Sequence, residues 1–500
     1  MPTGTLHESL EALREHNREV DALARTQALL SWDQHVFMPP GGREGRAQQV
    51  ALLSTLAHGR KTDPALGALL RRLAQRDDLD SIQAVAVRQM TRDYQHDTAR
   101  SSELVATMAR ARSRAFGAWT QAKEANDFSI FSPHMETLLD LSRQEAEALS
   151  TDGQSPYDAL LEQFDPGISQ DVLDPLFERL ATGLRTLLSE IADRDAPAPL
   201  SGTFPIDAQR ALSRDVVEAL GYEFSRGRLD ESPHPCTISI GRDDVRITTR
   251  FDDRDLLSGL GATLHEAGHA VYEQGLPVEW IPLGLAKAAS CGLHESQSRL
   301  WENFVGRSRA FCTWAAPRIH QHFPDVGVTP EILYAACNRV EAGPIRVEAD
   351  ELTYNLHIIV RYRLEQQLVN GDLSVPDLPE AWNAAYREML GIEPATATVG
   401  VLQDVHWAML SFGYFPSYTL GNLYAASLGR TLETAHTDLW ERIADGDFSM
   451  VLSWLRTHIH ERGRSANASE IVSDATGQRD MVADLLAHLR ERMAPLYGLD

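Results

Sequence analysis

The chain has 500 residues, with 47 Lys+Arg against 71 Asp+Glu for a formal net charge of −24, and 43% of its residues are hydrophobic. That composition is globular and long enough to bury a large core without disulfide staples, and at roughly 150 residues per domain the length alone suggests about three domains. The acid excess excludes a nucleic-acid binder and a polybasic membrane anchor, because both need a basic face.

The first residues, MPTGTLHESLEALREHNREV, are charged and lack an apolar signal core, so the expectation is a soluble, cytoplasmic protein. Pro39-Pro40-Gly41-Gly42 marks a break. Asp63-Pro64 reads as a cap followed by a first-turn proline, with Leu66, Leu69, Leu70 and Leu73 behind it at helical spacing. Residues 82 to 125 hold no proline and no turn cluster apart from Gly117, which predicts one long helix or two stacked ones. After the break at Asp165-Pro166-Gly167, a helix is predicted over 170 to 193. Its apolar stripe is Val172, Leu173, Leu176, Phe177, Leu180, Leu184, Leu187, Leu188 and Ile191. Neither these breaks nor Ala196-Pro197-Ala198-Pro199 is long enough to link independent domains. Thr237-Ile-Ser-Ile240 and Val245-Arg-Ile-Thr-Thr249, joined by Gly241-Arg-Asp-Asp244, predict a β-hairpin. The fold class is therefore mostly α with a small sheet in the middle. The best apolar run, Gly275 to Leu293, is interrupted by Glu279 and Lys287 and is no membrane span. Asn467-Ala468-Ser469 reads as surface loop. The four cysteines, Cys236, Cys291, Cys312 and Cys337, form no CxxC and read as buried small residues in a reducing compartment.

His265-Glu266-Ala-Gly-His269 is HExxH. Positions i and i+4 of a helix share a face, so both imidazoles can reach one metal ion, and Glu266 can lie beside it to take a proton from water. Imidazoles plus a carboxylate suit Zn²⁺ with one position open for water. Small apolar residues surround the motif, which points to a buried helix where unpaired histidines would be costly. The third ligand has two candidates in His294-Glu295-Ser296-Gln297, which opens a second helical stretch through Leu300, Trp301 and Phe304. Glu295 is favoured and His294 competes.

Here the chain resembles the M32 metallocarboxypeptidases, the thermostable-carboxypeptidase-1-like enzymes. Five motifs of that family stand in order: Asp244-Val-Arg246-Ile-Thr248, His265-Glu266-Ala-Gly-His269, His294-Glu295-Ser296-Gln297, Ile345-Arg346-Val-Glu-Ala349-Asp350 and Gly400-Val-Leu-Gln403-Asp404-Val-His406-Trp407. Trp32-Asp33-Gln34 through Gly42, Gly413-Tyr414-Phe415-Pro416-Ser417-Tyr418 and Tyr497-Gly498-Leu499 are family-like as well. One departure is visible: His234-Pro235-Cys236 stands where the family usually reads HPF. The resemblance implies His265, His269 and Glu295 as metal ligands and Glu266 as general base and acid. It also implies zinc or cobalt, a homodimer, and removal of C-terminal residues from peptides with broad specificity. The implied fold is a helical unit over 1–500, with a deep groove, N-terminal helices (about 1–125) as its roof and the active-site motifs in 230–420.

Amide hydrolysis further needs donors for the developing oxyanion. His406 is the first candidate, with Tyr414 and Tyr418 as rivals, and the alternative for His406 is a core imidazole paired with Asp404. A carboxypeptidase also needs a cation for the α-carboxylate. Arg346 comes first, with Asp350 as a possible orienting partner. Arg246 comes second, with a structural ion pair to Asp244 as its alternative. The hairpin's edge can hold an extended peptide by strand addition. An endopeptidase or oligopeptidase using the same site is the rival activity, and a catalytically silent metal-binding scaffold is the rival from outside enzymes.

Overall fold

The computed structural model describes residues 5–151 and 153–499. The first four residues of the N-terminal stretch discussed above, and the final residue of the 1–500 unit, lie outside the described residues.

Five helices open the chain: α1 (Leu6–Val36), α2 (Arg43–Lys61), α3 (Pro64–Ala74), α4 (Ser81–Ala99) and α5 (Ser102–Ala125). Their starts follow local chemistry. Thr5 and Glu8 form a capping box at α1, Asp63 caps α3 ahead of Pro64, and Asp80 and Gln83 form a second capping box at α4. The stretch from 82 to 125 is two helices, because Ser101 interrupts it and caps α5 through its hydroxyl. Leu10, Leu13, Leu66, Leu69, Leu70, Leu73, Val87 and Met90 make a small core of their own between α1, α3 and α4. Ala115 and Ala122 of α5 belong instead to the main core, which continues to Tyr497.

Next come α6 (Ser132–Leu149), α7 (Pro156–Leu161), α8 (Gln170–Ile191) and α9 (Ile206–Ala219). The predicted stripe of α8 is buried at Leu173, Phe177, Leu180, Leu184, Leu187 and Ile191, while Val172 is exposed. A three-stranded sheet follows, β1 (Gly227–Glu231), β2 (Cys236–Gly241) and β3 (Asp244–Thr249), in the order β1-β3-β2. The predicted hairpin is β2–β3, antiparallel with Thr237 opposite Ile247. β1 pairs with β3 in parallel, Leu229 opposite Ile247.

Beyond the sheet lie α10 (Leu256–Gly275), α11 (Cys291–Arg299), α12 (Arg309–His322), α13 (Pro330–Cys337), α14 (Tyr354–Asn370) and α15 (Leu378–Leu390). The chain ends with α16 (Pro416–Ala435), α17 (Leu439–Asp445), α18 (Ser449–His458), α19 (Ala468–Thr476) and α20 (Met481–Tyr497). α11 runs on into a π-helical turn, Leu300–Val305. Asn467 of the glycosylation-like triplet is the cap of α19, in a box with Glu470. Of the cysteines only Cys312 is buried; Cys236, Cys291 and Cys337 are half-buried, and all four are free. No helix among the described residues is long and apolar enough to cross a membrane.

Candidate active site

The site is built where α11 packs closely against α10 and α16. Asp255 accepts from the Ser258 amide to start α10. Leu260, Leu264, Ala267 and Val271 then go into the main core, while His265, Glu266 and His269 line a groove of about 1530 Å³. Gly268, between the two histidines, is a steric requirement. A Cβ there would stand 2.6 Å from the Gln297 carbonyl oxygen and from Ser298 Cα, so α11 lies directly on the bare face of α10. Gly421 on α16 does the same from the other side, where a Cβ would meet Glu295 Cγ at 2.5 Å. α11 is thus seated against a glycine on each neighbouring helix, and Glu295, beside Gly421, is aimed at the imidazoles.

Glu295 Oε2 lies 3.6 Å from His265 Nε2 and 3.4 Å from His269 Nε2. A tetrahedral ion with ligand bonds near 2.1 Å has ligand–ligand edges of about 3.4 Å, so the spacing fits two imidazoles and a carboxylate around one such cation. His265, His269 and Glu295 are the group among the described residues whose donor atoms converge in this way. His265 Nδ1 meets Glu302 Oε2 at 2.8 Å, which leaves Nε2 as the lone pair facing inward. Arg299 donates to Glu295 Oε1 at 2.7 Å and to Glu302 Oε2 at 3.1 Å. The electrostatics invite a cation. Burial opposes protonation of His265, but Glu295 and then Glu302 outweigh it and lift its pKa to about 9, whereas burial and neighbouring His294 bring His269 to about 3. His294, the competing ligand candidate, turns away: its Nε2 is 3.0 Å from Glu273 Oε1, and its ring stacks on His269 with centroids 4.3 Å apart.

Glu266 is buried at the groove wall, and that burial raises its pKa above the usual carboxyl range. The Thr237 hydroxyl reaches its Oε2 at 2.6 Å. Arg346 also lines the groove, with a partner other than the one anticipated. Its Nε and Nη2 donate to Asp404 Oδ1 at 2.9 and 2.7 Å, and its Nη1 donates to the Tyr354 hydroxyl at 3.0 Å. Asp350 instead accepts from the Leu352 and Thr353 amides and starts the next element. Asp404 is shared with Arg361, 2.6 Å away. Against burial, which would raise it, the two guanidiniums hold its carboxyl far below the usual range.

Arg246 does not reach the groove. It forms a two-pronged pair with Asp244, both bonds 2.7 Å, and lies 4.2 Å over the Trp32 ring of α1. His406 is likewise absent from the groove lining. Its Nε2 is 3.0 Å from the Tyr418 hydroxyl, and its Nδ1 lies 3.9 Å from Asp404, beyond hydrogen-bond reach. Burial, opposed by Asp404 and assisted by Arg346 and Arg361, brings its pKa to about 3, so the imidazole is neutral. Tyr414 and Tyr418 do line the groove, their rings edge to face at 5.2 Å.

The family described as Carboxypeptidase Taq (M32) metallopeptidase matches residues 12–493. The chain belongs to the M32 metallocarboxypeptidase family. It is 42% identical to thermostable carboxypeptidase 1 of Thermus thermophilus, over 97% of this chain and 98% of that one. It is 36% identical to carboxypeptidase 1 of Bacillus subtilis, over 96% and 97%. The crystal structure of the M32 carboxypeptidase from Deinococcus radiodurans R1 superposes with a TM-score of 0.96 at 39% identity, covering 98% of this chain and all of that one. This M32 chain is accordingly an enzyme, a metal-dependent carboxypeptidase.

Three residues of this M32 site escaped the sequence reading: Glu302, Thr237 and Arg299. Glu302 follows the HESQ segment by only a few residues, and its i+3 spacing from Arg299 is a signal that was available. Thr237 carries no signal, since its contact crosses from strand to helix. The family departure at Cys236 also lies in the groove wall, its Sγ 3.3 Å from Thr248 Oγ1.

Proposed function

We propose that this carboxypeptidase holds its cation through His265, His269 and Glu295, and that the cation is zinc, with cobalt as an alternative. The convergence of the two Nε2 atoms and one carboxylate oxygen on a common centre carries that reading. Two nitrogens and one oxygen are a borderline donor set, which suits Zn²⁺ better than Mg²⁺ or Ca²⁺. When bound, such a cation polarises the scissile carbonyl and lowers the pKa of a water molecule.

The remaining work belongs to the chain. Glu266 takes the proton of the attacking water and returns it to the leaving amine. Tyr418 donates to the developing oxyanion, with Tyr414 beside it, and His406 acts through Tyr418 by holding its hydroxyl from behind. Arg346 receives the substrate's α-carboxylate. Two guanidiniums share the single carboxylate of Asp404, so the cluster keeps a net positive charge facing the groove. The peptide lies along Pro233–Thr237, at the start of the sheet's edge strand.

We read the chain as one peptidase unit acting on peptides with free C-termini and broad specificity. Exposed Leu29, Phe37, Leu52 and Leu56 on and beside α1 and α2 suit a homodimer. Four free cysteines suit the cytoplasm. The experiment that tests the activity is a pair of peptides identical except for a C-terminal carboxylate or amide. The metal-loaded enzyme should lose at least about tenfold in kcat/KM on the amide, as expected when a charge-assisted hydrogen bond is removed. Equal rates on both would make it an endopeptidase.

A further inference from the structure

We propose that Thr237 is a positioning residue for Glu266, holding one carboxylate oxygen so that the other faces the groove; this rests on Glu266 being the general base and acid. The Thr237 hydroxyl lies 2.6 Å from Glu266 Oε2 and 2.9 Å from the main-chain oxygen of the same residue. A hydroxyl has one proton and two lone pairs. With Glu266 ionised, the hydroxyl donates to Oε2 and leaves Oε1 to face the water. When Glu266 has taken the proton on Oε1, Oε2 is a carbonyl oxygen that still accepts from the Thr237 hydroxyl, so the proton stays on the oxygen that faces the leaving amine. One side chain therefore satisfies the carboxyl before and after the transfer, without movement of any heavy atom.

The strand fixes the hydroxyl in turn. Thr237 pairs with Ile247 across the hairpin, and Cys236 beside it is held through its amide to Thr248 Oγ1 at 3.0 Å. The helix side is fixed by Gly268, which seats α10 against α11. Glu266 is buried on the same helix, so a carboxylate released by Thr237 would have few polar neighbours other than the triad itself. Without the hydroxyl it would swing toward His265 and compete for the place of the water.

Thr237→Val keeps the shape and the strand preference and removes only the hydroxyl. The metal-loaded variant should keep full metal content, wild-type thermal stability and KM within about twofold, while kcat falls roughly ten- to hundredfold, the scale of one hydrogen bond to a charged group. Thr237→Ser should restore kcat to within about threefold, since the hydroxyl returns. Thr237→Ala gives the same reading as Val should Val misfold. A wild-type kcat in the Val or Ala variant, a loss confined to KM or metal content, or failure of Ser to rescue would overturn the proposal. Glu266→Gln is measured alongside: if it turns over like wild type, the base assignment itself falls, whereas an inactive Gln variant beside a fully active Val variant removes only the role of Thr237.

Discussion

Glu302 decides which nitrogen of His265 faces the groove. Its carboxylate takes the Nδ1 side at 2.8 Å and is itself steadied by Arg299. Orienting carboxylates of this kind carry about 10–100-fold in metal affinity. Glu302→Ala should therefore weaken metal retention by that factor in a chelator competition, and Glu295→Ala, which removes a converging oxygen, should weaken it further. Unchanged retention in Glu302→Ala would mean that helix geometry alone orients the ring. At this scale the sequence was informative where spacing along one helix settles the matter. His265, Glu266 and His269 fall on the groove side because i and i+4 share a face. Between His294 and Glu295 spacing could not choose. In the structure Glu295 Oε2 faces the two imidazoles in the room left by Gly421 on a distant helix, and His294 pairs with Glu273. The partner of Arg346 was misread for the same reason: Asp350 is near in sequence, but Asp404, brought in from another segment, makes the bonds.

The elements show the same division between local and non-local signals. The hairpin β2–β3 was legible from its β-branched runs. Strand β1, Gly-Arg-Leu-Asp-Glu, is polar and short, and it becomes a strand only because β3 offers its other edge. The split between α4 and α5 was left open because a serine cap is a weaker break than proline or glycine. The most demanding element contact is α10 on α11 at Gly268. Gly→Ala in an exposed helix stabilises by about 1 kcal/mol. Here the added methyl would stand 2.6 Å from backbone atoms of α11, so Gly268→Ala should instead destabilise by about 1–3 kcal/mol through overpacking. It should also spread the two helices and release the metal. Thermal unfolding and metal content of the purified variant check both, and a stabilised, fully loaded Gly268→Ala would show that the helices do not need this close approach.

For the whole molecule, length suggested several domains, whereas one buried hydrophobic cluster runs from Ala115 to Tyr497 and a smaller one ties α1, α3 and α4 together. α4 supplies Gln89, Arg92, Asp93 and His96 to the groove wall, which is how the N-terminal helices come to cover it. Within a chain of net charge −24, Arg346 lines the groove and shares the single carboxylate of Asp404 with Arg361, which puts a local positive charge where a substrate carboxylate can bind. We propose that this groove trims peptides from the C-terminus through a cation held by two histidines and a glutamate. It is tested most directly by a mass-spectrometric time course of metal-loaded enzyme on a mixture of free-acid peptides, with chelator, without it, and with zinc restored. The expected result is a ladder of products shortened one residue at a time from the C-terminus, halted by chelator and resumed with zinc. Internal fragments, or a ladder that continues unchanged in chelator on metal-free protein, would contradict it.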